Sequence, residues 1–251
     1  MKMVADFMVE VPLLKRDDTV TKARQILRDD SFREIYIHDG KKKLLGYIDI
    51  TDVLQVRSTK SNVTVEGFMK EPAAVLENTP IEHAVRSIRE FRTDSAAVTD
   101  AKRYIIGGVI ISDLFPIIIT RHEIRGLAGD YMTRKVISCA PEDPVQKVYN
   151  LIIESGFSAF PVIKKDKCLG IISRRDLLKA GRVRSVLENH ASTPIETIMT
   201  KTVISVSPEE PIQSAAALMV RYDISRVPVL ESTRVVGILD RHDVMKALAL
   251  T

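Results

Sequence analysis

Between Met199 and Leu250 the apolar positions switch between strand-like and helix-like periods, and the switches and turns delimit five expected elements. Residues 203–206 (Val-Ile-Ser-Val) are a β-branched run, read as a strand and closed by the turn material Ser207-Pro208-Glu209-Glu210. Pro211 is expected at the first helical position, where a missing N–H costs nothing. Ile212, Ala215, Ala216 and Met219 then recur at helical spacing, predicting a helix over 212–220 that Asp223 breaks. Residues 227–230 read as a strand, 231–233 as a turn, and 235–239 as an antiparallel return. Asp240 is a good N-cap for a last helix running to the C-terminus. The order is strand, helix, strand, strand, helix.

The same pattern occurs four times. Met8, Met69, Met132 and Met199 each open a unit, and Asp52, Asp113, Asp176 and Asp243 follow at a constant separation of 44 positions. The first apolar helix residue (Val20, Ile81, Val145, Ile212) lies 12, 12, 13 and 13 positions after its Met. The hairpins compensate: Tyr36 to Gly46 and Ala97 to Gly107 are one residue longer than Pro161 to Gly170 and Pro228 to Gly237. Units 1 and 2 therefore share one spacing and units 3 and 4 another, which predicts two pairs. The repeats are expected at residues 1–60, 61–120, 127–181 and 194–251. A unit of this size would leave apolar surface exposed alone, and pairing covers it.

Composition narrows the function. With 45% hydrophobic and 28% charged residues in 251, the chain is expected to fold, and with 5% aromatics and no Trp its core must be aliphatic. A net charge of +4 is too diffuse to argue nucleic-acid binding, although it suits phosphorylated ligands. Short basic stretches around Arg121, Arg125, Arg182 and Arg184 read as solvated linkers. Cys139 and Cys168 form no CxxC or Cys/His cluster, and His38, His83, His122 and His190 show no ligand spacing, so no metal site is expected. The longest apolar run, 114–119, is interrupted by Pro116 and too short to cross a bilayer. These features read together as a soluble, cytoplasmic protein without a membrane segment.

The motifs that carry a family likeness are Met132-Thr133 and Met199-Thr200 at unit starts, Ser-Ala-Phe-Pro-Val at 158–162 and Ser-Arg-Val-Pro-Val at 225–229. To these add Gly-Ile-Ile-Ser-Arg-Arg-Asp-Leu-Leu at 170–178 and Gly-Ile-Leu-Asp-Arg-His-Asp-Val-Met at 237–245. Across essentially the whole chain they resemble the CBS domain, named for cystathionine β-synthase, in the four-copy form of the AMP-activated protein kinase gamma subunit and of stand-alone archaeal and bacterial proteins. The resemblance implies an α/β fold of four β-α-β-β-α repeats packed as two pseudo-twofold Bateman modules, with two clefts per pair. Such clefts commonly hold adenosyl compounds (AMP, ADP, ATP, S-adenosylmethionine), without chemistry and without a cofactor, and occupancy regulates a partner protein.

The residues suit that role. Asp176, at a helix start three positions after Ser173, can accept from ribose hydroxyls while Ser173 caps the helix or meets the ligand; the helix N-terminus itself favours phosphate. From the residues alone, the plainer reading of Ser173 and Asp176 is a capping pair that stabilises the helix and binds nothing; the family resemblance favours the ligand reading. Asp240 stands where Ser173 does, with Asp243 as the ribose candidate; two carboxylates beside a phosphate repel it, so this pocket is either specific for a less charged ligand or relieved by Arg226, Arg241 or His242. Arg226 aligns with a phosphate-binding position of the kinase gamma subunit, where a guanidinium holds phosphate bidentately. The plainer reading of Arg226 is a solvated arginine at a strand start.

By the resemblance, one cleft combines Thr133 and Ser158 with Arg226, Asp240 and Asp243. The other joins Thr200 and Ser225 to Ser173 and Asp176, with Ala159 in the Arg226 position and phosphate contact left to Arg174 or Arg175. Backbone beside Ile137 and Ile204 would read the adenine edge. Units 1 and 2 depart from this: Tyr36 and Ala97 replace the strand proline, Asp49 and Ile110 replace the Ser173 hydroxyl, and Glu34 and Ser95 stand where Arg226 does. Glu34 with Asp49 makes an acidic cleft hostile to phosphate, so the first pair is expected to be structural or to take a less charged ligand.

The function that follows is a non-catalytic sensor of an adenine nucleotide, acting mainly through the second pair on an unidentified regulated protein, with self-association into a homo-oligomer open. The alternative is an oligomerisation scaffold with little or no ligand binding. Neither a nucleophile–base arrangement nor a Walker-type loop is present to suggest an enzyme.

Overall fold

The computed structural model describes residues 2–29, 32–56, 61–179 and 193–249. Arg182, Arg184 and His190 lie outside them, as do the ends of several expected repeat boundaries. The chain divides into two compact units, residues 1–120 and 121–249.

In the first unit, β1 (Leu13–Lys15) runs parallel to β2 (Glu34–His38), which pairs antiparallel with β3 (Leu44–Asp49). The helix Val20–Asp29 connects β1 to β2, and the helix Ile50–Gln55 follows β3. The arrangement repeats with β4 (Ala74–Leu76), β5 (Ser95–Thr99) and β6 (Ile105–Ile110), the helix Ile81–Phe91 crossing over and the helix Ile111–Arg121 following.

The second unit holds the hairpins β7 (Ala159–Lys164) with β8 (Lys167–Ser173) and β9 (Arg226–Glu231) with β10 (Arg234–Asp240). Its helices are Val145–Ser155, Arg174–Lys179, Ile212–Arg221 and Arg241–Lys246. The strand expected over 203–206 shrinks to one parallel bridge, Val206↔Val229, and its counterpart to Cys139↔Val162. Pro211 is the N-cap of its helix rather than the first helical residue, and Pro144 is placed in the same way. Asp223 adopts a left-handed φ of 47° just beyond the helix, which explains the break. The last helix stops at Lys246; Leu248 leaves it to bridge Ile124.

What makes the repeats pairs is a reciprocal exchange of backbone. The residue after each opening Met bridges the residue after the hairpin glycine of the other repeat: Val9 with Gly108, Lys70 with Tyr47, Thr133 with Ile238, Thr200 with Ile171. In each case both amides donate, at 2.9–3.1 Å for Thr133 and Ile238 and 2.9 Å each way for Thr200 and Ile171. The methionine itself lies on the glycine: a Cβ at Gly237 would collide with Met132, and one at Gly170 with Met199 and the Thr200 carbonyl. The repeated Met is therefore a plug that seals the partner repeat.

A second exchange lies four residues upstream. Val4, Val65, Ala128 and Ile195 are all 0% exposed. The turns that carry them donate to carbonyls ahead of the partner repeat's long helix, as in Val4 N–H to Thr79, Val65 to Asp18, Ala128 to Glu210 and Ile195 to Asp143. Apolar burial of the Val and Ile anchors stabilises by about 1.5–3 kcal/mol each. Neither member of a pair is finished without the other.

Candidate functional site

The exchange brings the two ends of each expected cleft together. Pairing of Thr133 with Ile238 sets the start of repeat 3 beside β10, whose last residue, Asp240, is in register with Arg226 on β9. From there Arg226 Nη2 donates to Ser158 Oγ at 2.9 Å, crossing from repeat 4 to repeat 3. Thr133, Ser158, Arg226, Asp240 and Asp243 are linked in this way through β9 and β10.

Its carboxylates are held by the helix Arg241–Lys246. Asp240 Oδ1 accepts from the Asp243 N–H at 2.9 Å, and Asp243 Oδ2 from the Asp240 N–H at 3.1 Å, a complete capping box. Asp243 is 4% exposed, and burial, reinforced by the Asp240 charge, pushes its carboxyl above the usual range. Lys246 Nζ, 2.8 Å from Asp243 Oδ1, opposes that shift. Of the cations expected to relieve the acidic pair, His242 Nδ1 stands 3.9 Å from Asp240, whereas Arg241 is buried and reaches Asp223 at 3.4 Å. Lys246 is the relief that sequence reading missed, although its i,i+3 spacing from Asp243 was a legible signal.

The second cleft of this pair is the symmetry counterpart with different side chains. Thr200 bridges Ile171, and Ala159, in register with Ser173, occupies the position of Arg226. Ser173 Oγ and N–H both donate to Asp176 Oδ2, at 2.6 and 2.8 Å, and the Asp176 N–H returns to Ser173 Oγ at 3.3 Å. The capping reading of this pair is therefore correct as local structure, and it engages only one carboxylate oxygen of Asp176. Ser158 and Ser225 use their carbonyls to accept from the N–H groups of Arg174 and Arg241. Ile137 and Ile204 are half-buried in the extended segments ahead of Cys139 and Val206. Ile171 and Ile238 are also half-buried, so aliphatic surface remains open on this side of β8 and β10.

The first pair places different groups at the same positions. Tyr47, the counterpart of Ile171, is 7% exposed, and Tyr36, the counterpart of the strand prolines, 2%. Their rings pack with Val11, Leu44, Ala97 and Ile105 in one core cluster. Glu34 is in register with Asp49 and is buried, accepting from the Asp94 N–H at 2.7 Å and from Ser95 Oγ at 2.5 Å; Tyr36 Oη extends the chain to Ser95 Oγ at 2.6 Å. Burial, with the nearby Asp94 and Asp49 charges, pushes Glu34 up to about 8. Asp52, the counterpart of Asp176, is pushed up to about 6, by burial first and by Asp49 second. Lys70, where repeats 3 and 4 carry Thr, sends Nζ to Asp52 Oδ2 at 2.7 Å and Asp49 Oδ2 at 3.1 Å.

Among the described residues no group of three or more His, Cys, Asp or Glu could hold a metal ion, and no helix is long and apolar enough to cross a membrane.

This reciprocal pairing of β-α-β-β-α units is the architecture of Bateman modules. Residues 4–59, 128–182 and 195–250 match the CBS domain model, and the chain belongs to that family. It is 24% identical over 263 residues to the protein MJ1225 of Methanocaldococcus jannaschii, covering 92% of each chain. The crystal structure of MJ1225, described as a proposed archaeal homolog of g-AMPK, superposes with a TM-score of 0.81 over 98% of this chain and 99% of that one, at 21% identity. An uncharacterized conserved protein from Pyrococcus horikoshii matches over the whole of both chains with a TM-score of 0.67, also at 21% identity. A 118-residue portion, 47% of this chain, is 37% identical to 23% of the inosine-5'-monophosphate dehydrogenase of Korarchaeum cryptofilum.

Proposed function

We propose that this protein is a non-catalytic cytoplasmic regulator that binds an adenine nucleotide between repeats 3 and 4, with residues 1–60, 61–120, 127–181 and 194–251 as its four repeats. The observation that carries the reading is the guanidinium of Arg226 reaching across to Ser158 above a helix start that bears Asp240 and Asp243. A phosphate would exchange the neutral Ser158 contact for a charge-assisted, bidentate one. Asp243 would accept from the ribose hydroxyls, Thr133 would contact the nucleotide, and backbone near Ile137 would meet the adenine edge. In the counterpart cleft, Thr200, Ser225, Ser173 and Asp176 would hold a nucleoside with no arginine at the Ala159 position, Ile204 would flank the base, and Arg174 would be the cation nearest a phosphate. That cleft suits a less charged adenosyl ligand such as S-adenosylmethionine better than ATP.

A second reading, that the fold serves as an oligomerisation scaffold, is favoured by the first pair alone, where Tyr36, Tyr47 and Lys70 occupy the equivalent ground. Thermal-shift measurements with AMP, ADP, ATP and S-adenosylmethionine separate the two. A ligand that binds only the folded state raises the midpoint, by linkage worth roughly 2.7 kcal/mol at a hundred times its Kd. The regulator reading expects a shift with AMP that Asp243→Asn removes; a protein indifferent to all four ligands is a scaffold.

A further inference from the structure

The two hairpin loops of the first unit are fastened to each other. Lys43 and Tyr104 form an antiparallel bridge, with the Leu44 N–H donating to the Arg103 carbonyl at 2.9 Å and the Ile105 N–H to the Lys42 carbonyl at 2.8 Å. The extra residue in each loop, relative to the second unit, gives them the reach. Lys42 and Arg103 take left-handed φ values of 67° and 68° to make the turn. The junction therefore gathers Lys41, Lys42, Lys43, Lys102 and Arg103, all exposed, around one backbone bridge.

The local carboxylates, Asp39 and Asp100, offset part of this charge but, among the described residues, form no ion pair with it. Asp39 Oδ1 accepts from the N–H groups of Lys41 and Lys43, and Asp100 Oδ1 from those of Lys102 and Tyr104, so both serve as turn caps. His38 Nδ1 likewise accepts from the Gly40 and Lys42 N–H groups. Elsewhere exposed lysines take partners: Lys22 with Asp18, Lys147 with Asp143, Lys164 with Glu142. Among the described residues no ion pair involves any of the five.

Beside the charge lies apolar surface. Leu45 and Ile106, the second residues of β3 and β6, are 39% and 43% exposed. Each is the extra residue of a β-bulge, between Leu44 and Gly46 in one hairpin and between Ile105 and Gly107 in the other, and each lies two residues from the bridge, Leu45 from Lys43 and Ile106 from Tyr104.

We propose that this joined-loop edge of the first unit is a docking surface for a protein segment in which acidic residues alternate with aliphatic ones. Unpaired cations steer and orient an anionic partner, and the two aliphatic side chains give it apolar area to bury. Nucleic acid uses the composite poorly. Leu45 and Ile106 offer nothing to a sugar–phosphate backbone, single-strand sites stack bases on aromatic rings, and Tyr104 in this loop is half-buried. The second unit supplies a built-in comparison: Lys164 and Lys167 pair within one tight hairpin, Glu231 and Arg234 within the other, and no bridge joins these hairpins among the described residues.

The test is fluorescence anisotropy on the full chain with three labelled probes: a short peptide alternating Asp and Leu, its Asp–Ser counterpart, and a single-stranded oligonucleotide. The Asp–Leu peptide should bind best and weaken as salt rises. The triple variant Lys41→Glu/Lys43→Glu/Arg103→Glu should lose roughly ten-fold or more of that affinity. Leu45→Ser/Ile106→Ser should bring the Asp–Leu peptide down to the level of Asp–Ser, while Lys165→Glu/Lys167→Glu changes nothing. Circular dichroism checks that each variant folds. If the triple variant fails that check, the salt dependence and the ranking of the three probes on the unaltered protein decide instead. Equal binding of Asp–Ser, tighter binding of the oligonucleotide, no effect of folded triple variant, or no binding at low salt each overturns the proposal.

Discussion

Lys70 Nζ stands 2.7 Å from Asp52 Oδ2, two residues that hold in the first pair the repeat positions of Thr200 and Asp176. The same ammonium reaches Asp49 and lies 4.9 Å from the centre of the Tyr47 ring, so one side chain covers both carboxylates and an aromatic face. Removing it takes from the buried Asp52 the ammonium that opposes its desolvation. Lys70→Met should lower stability at pH 7 by about 1–3 kcal/mol, the range for a lost charged hydrogen bond, toward the lower end because the lysine is more than a third exposed to screening solvent. The loss should shrink near pH 5, where Asp52, titrating at about 6, takes up a proton; urea titrations at the two pH values check this.

Glu34 and Asp52 make the first unit pH-dependent in a definite direction. Both carboxyls titrate higher in the folded chain, Glu34 at about 8 and Asp52 at about 6. The folded state therefore holds more protons than the unfolded one between the ordinary carboxylate range and about 8, and stability falls as pH rises through that window. Glu34→Gln keeps an acceptor for the Asp94 N–H and reverses the Ser95 contact, its amide donating where the carboxylate accepted, without the titration. Calorimetric midpoints of wild type and variant should nearly coincide near pH 4.5, separate in favour of the variant up to pH 8, and stay parallel above it.

The contact between Met132 and Gly237 predicts a coupled pair. Gly237→Ala alone pushes a methyl into the methionine and should destabilise by about 1–3 kcal/mol, the usual range for overpacking. Met132→Ala alone opens a hole and also destabilises, by about 2–5 kcal/mol. The double variant should be less damaged than the sum of the two, and a double-mutant cycle measures the difference.

Much of this architecture was legible because it is periodic. The Met-to-Asp spacing and the alternation within each hairpin located every strand of β2, β3 and β5–β10, and the hydroxyl or carboxylate three residues before each late Asp of the second pair located the capping boxes. Three things were hidden. The first strands of repeats 3 and 4 were overread, since a β-branched run sets a preference but pairing there extends to a single bridge. The exchanged anchors Val4, Val65, Ala128 and Ile195 recur four residues before each Met, yet a single apolar residue in a polar turn carries no amphipathic signal. Lys70 and Lys246 escaped notice because a lysine's reach is decided by the fold: Lys70 crosses between repeats to carboxylates in β3 and its following helix.

The direct measurement of nucleotide binding in the second pair is calorimetric titration of AMP into the intact protein and into Arg226→Met. The unaltered protein should bind AMP with measurable heat, and loss of the guanidinium should weaken binding by roughly ten- to a hundred-fold, as removal of a charged hydrogen bond to phosphate does, with adenosine affinity little changed. AMP binding equally well to both proteins, or to neither, would contradict it.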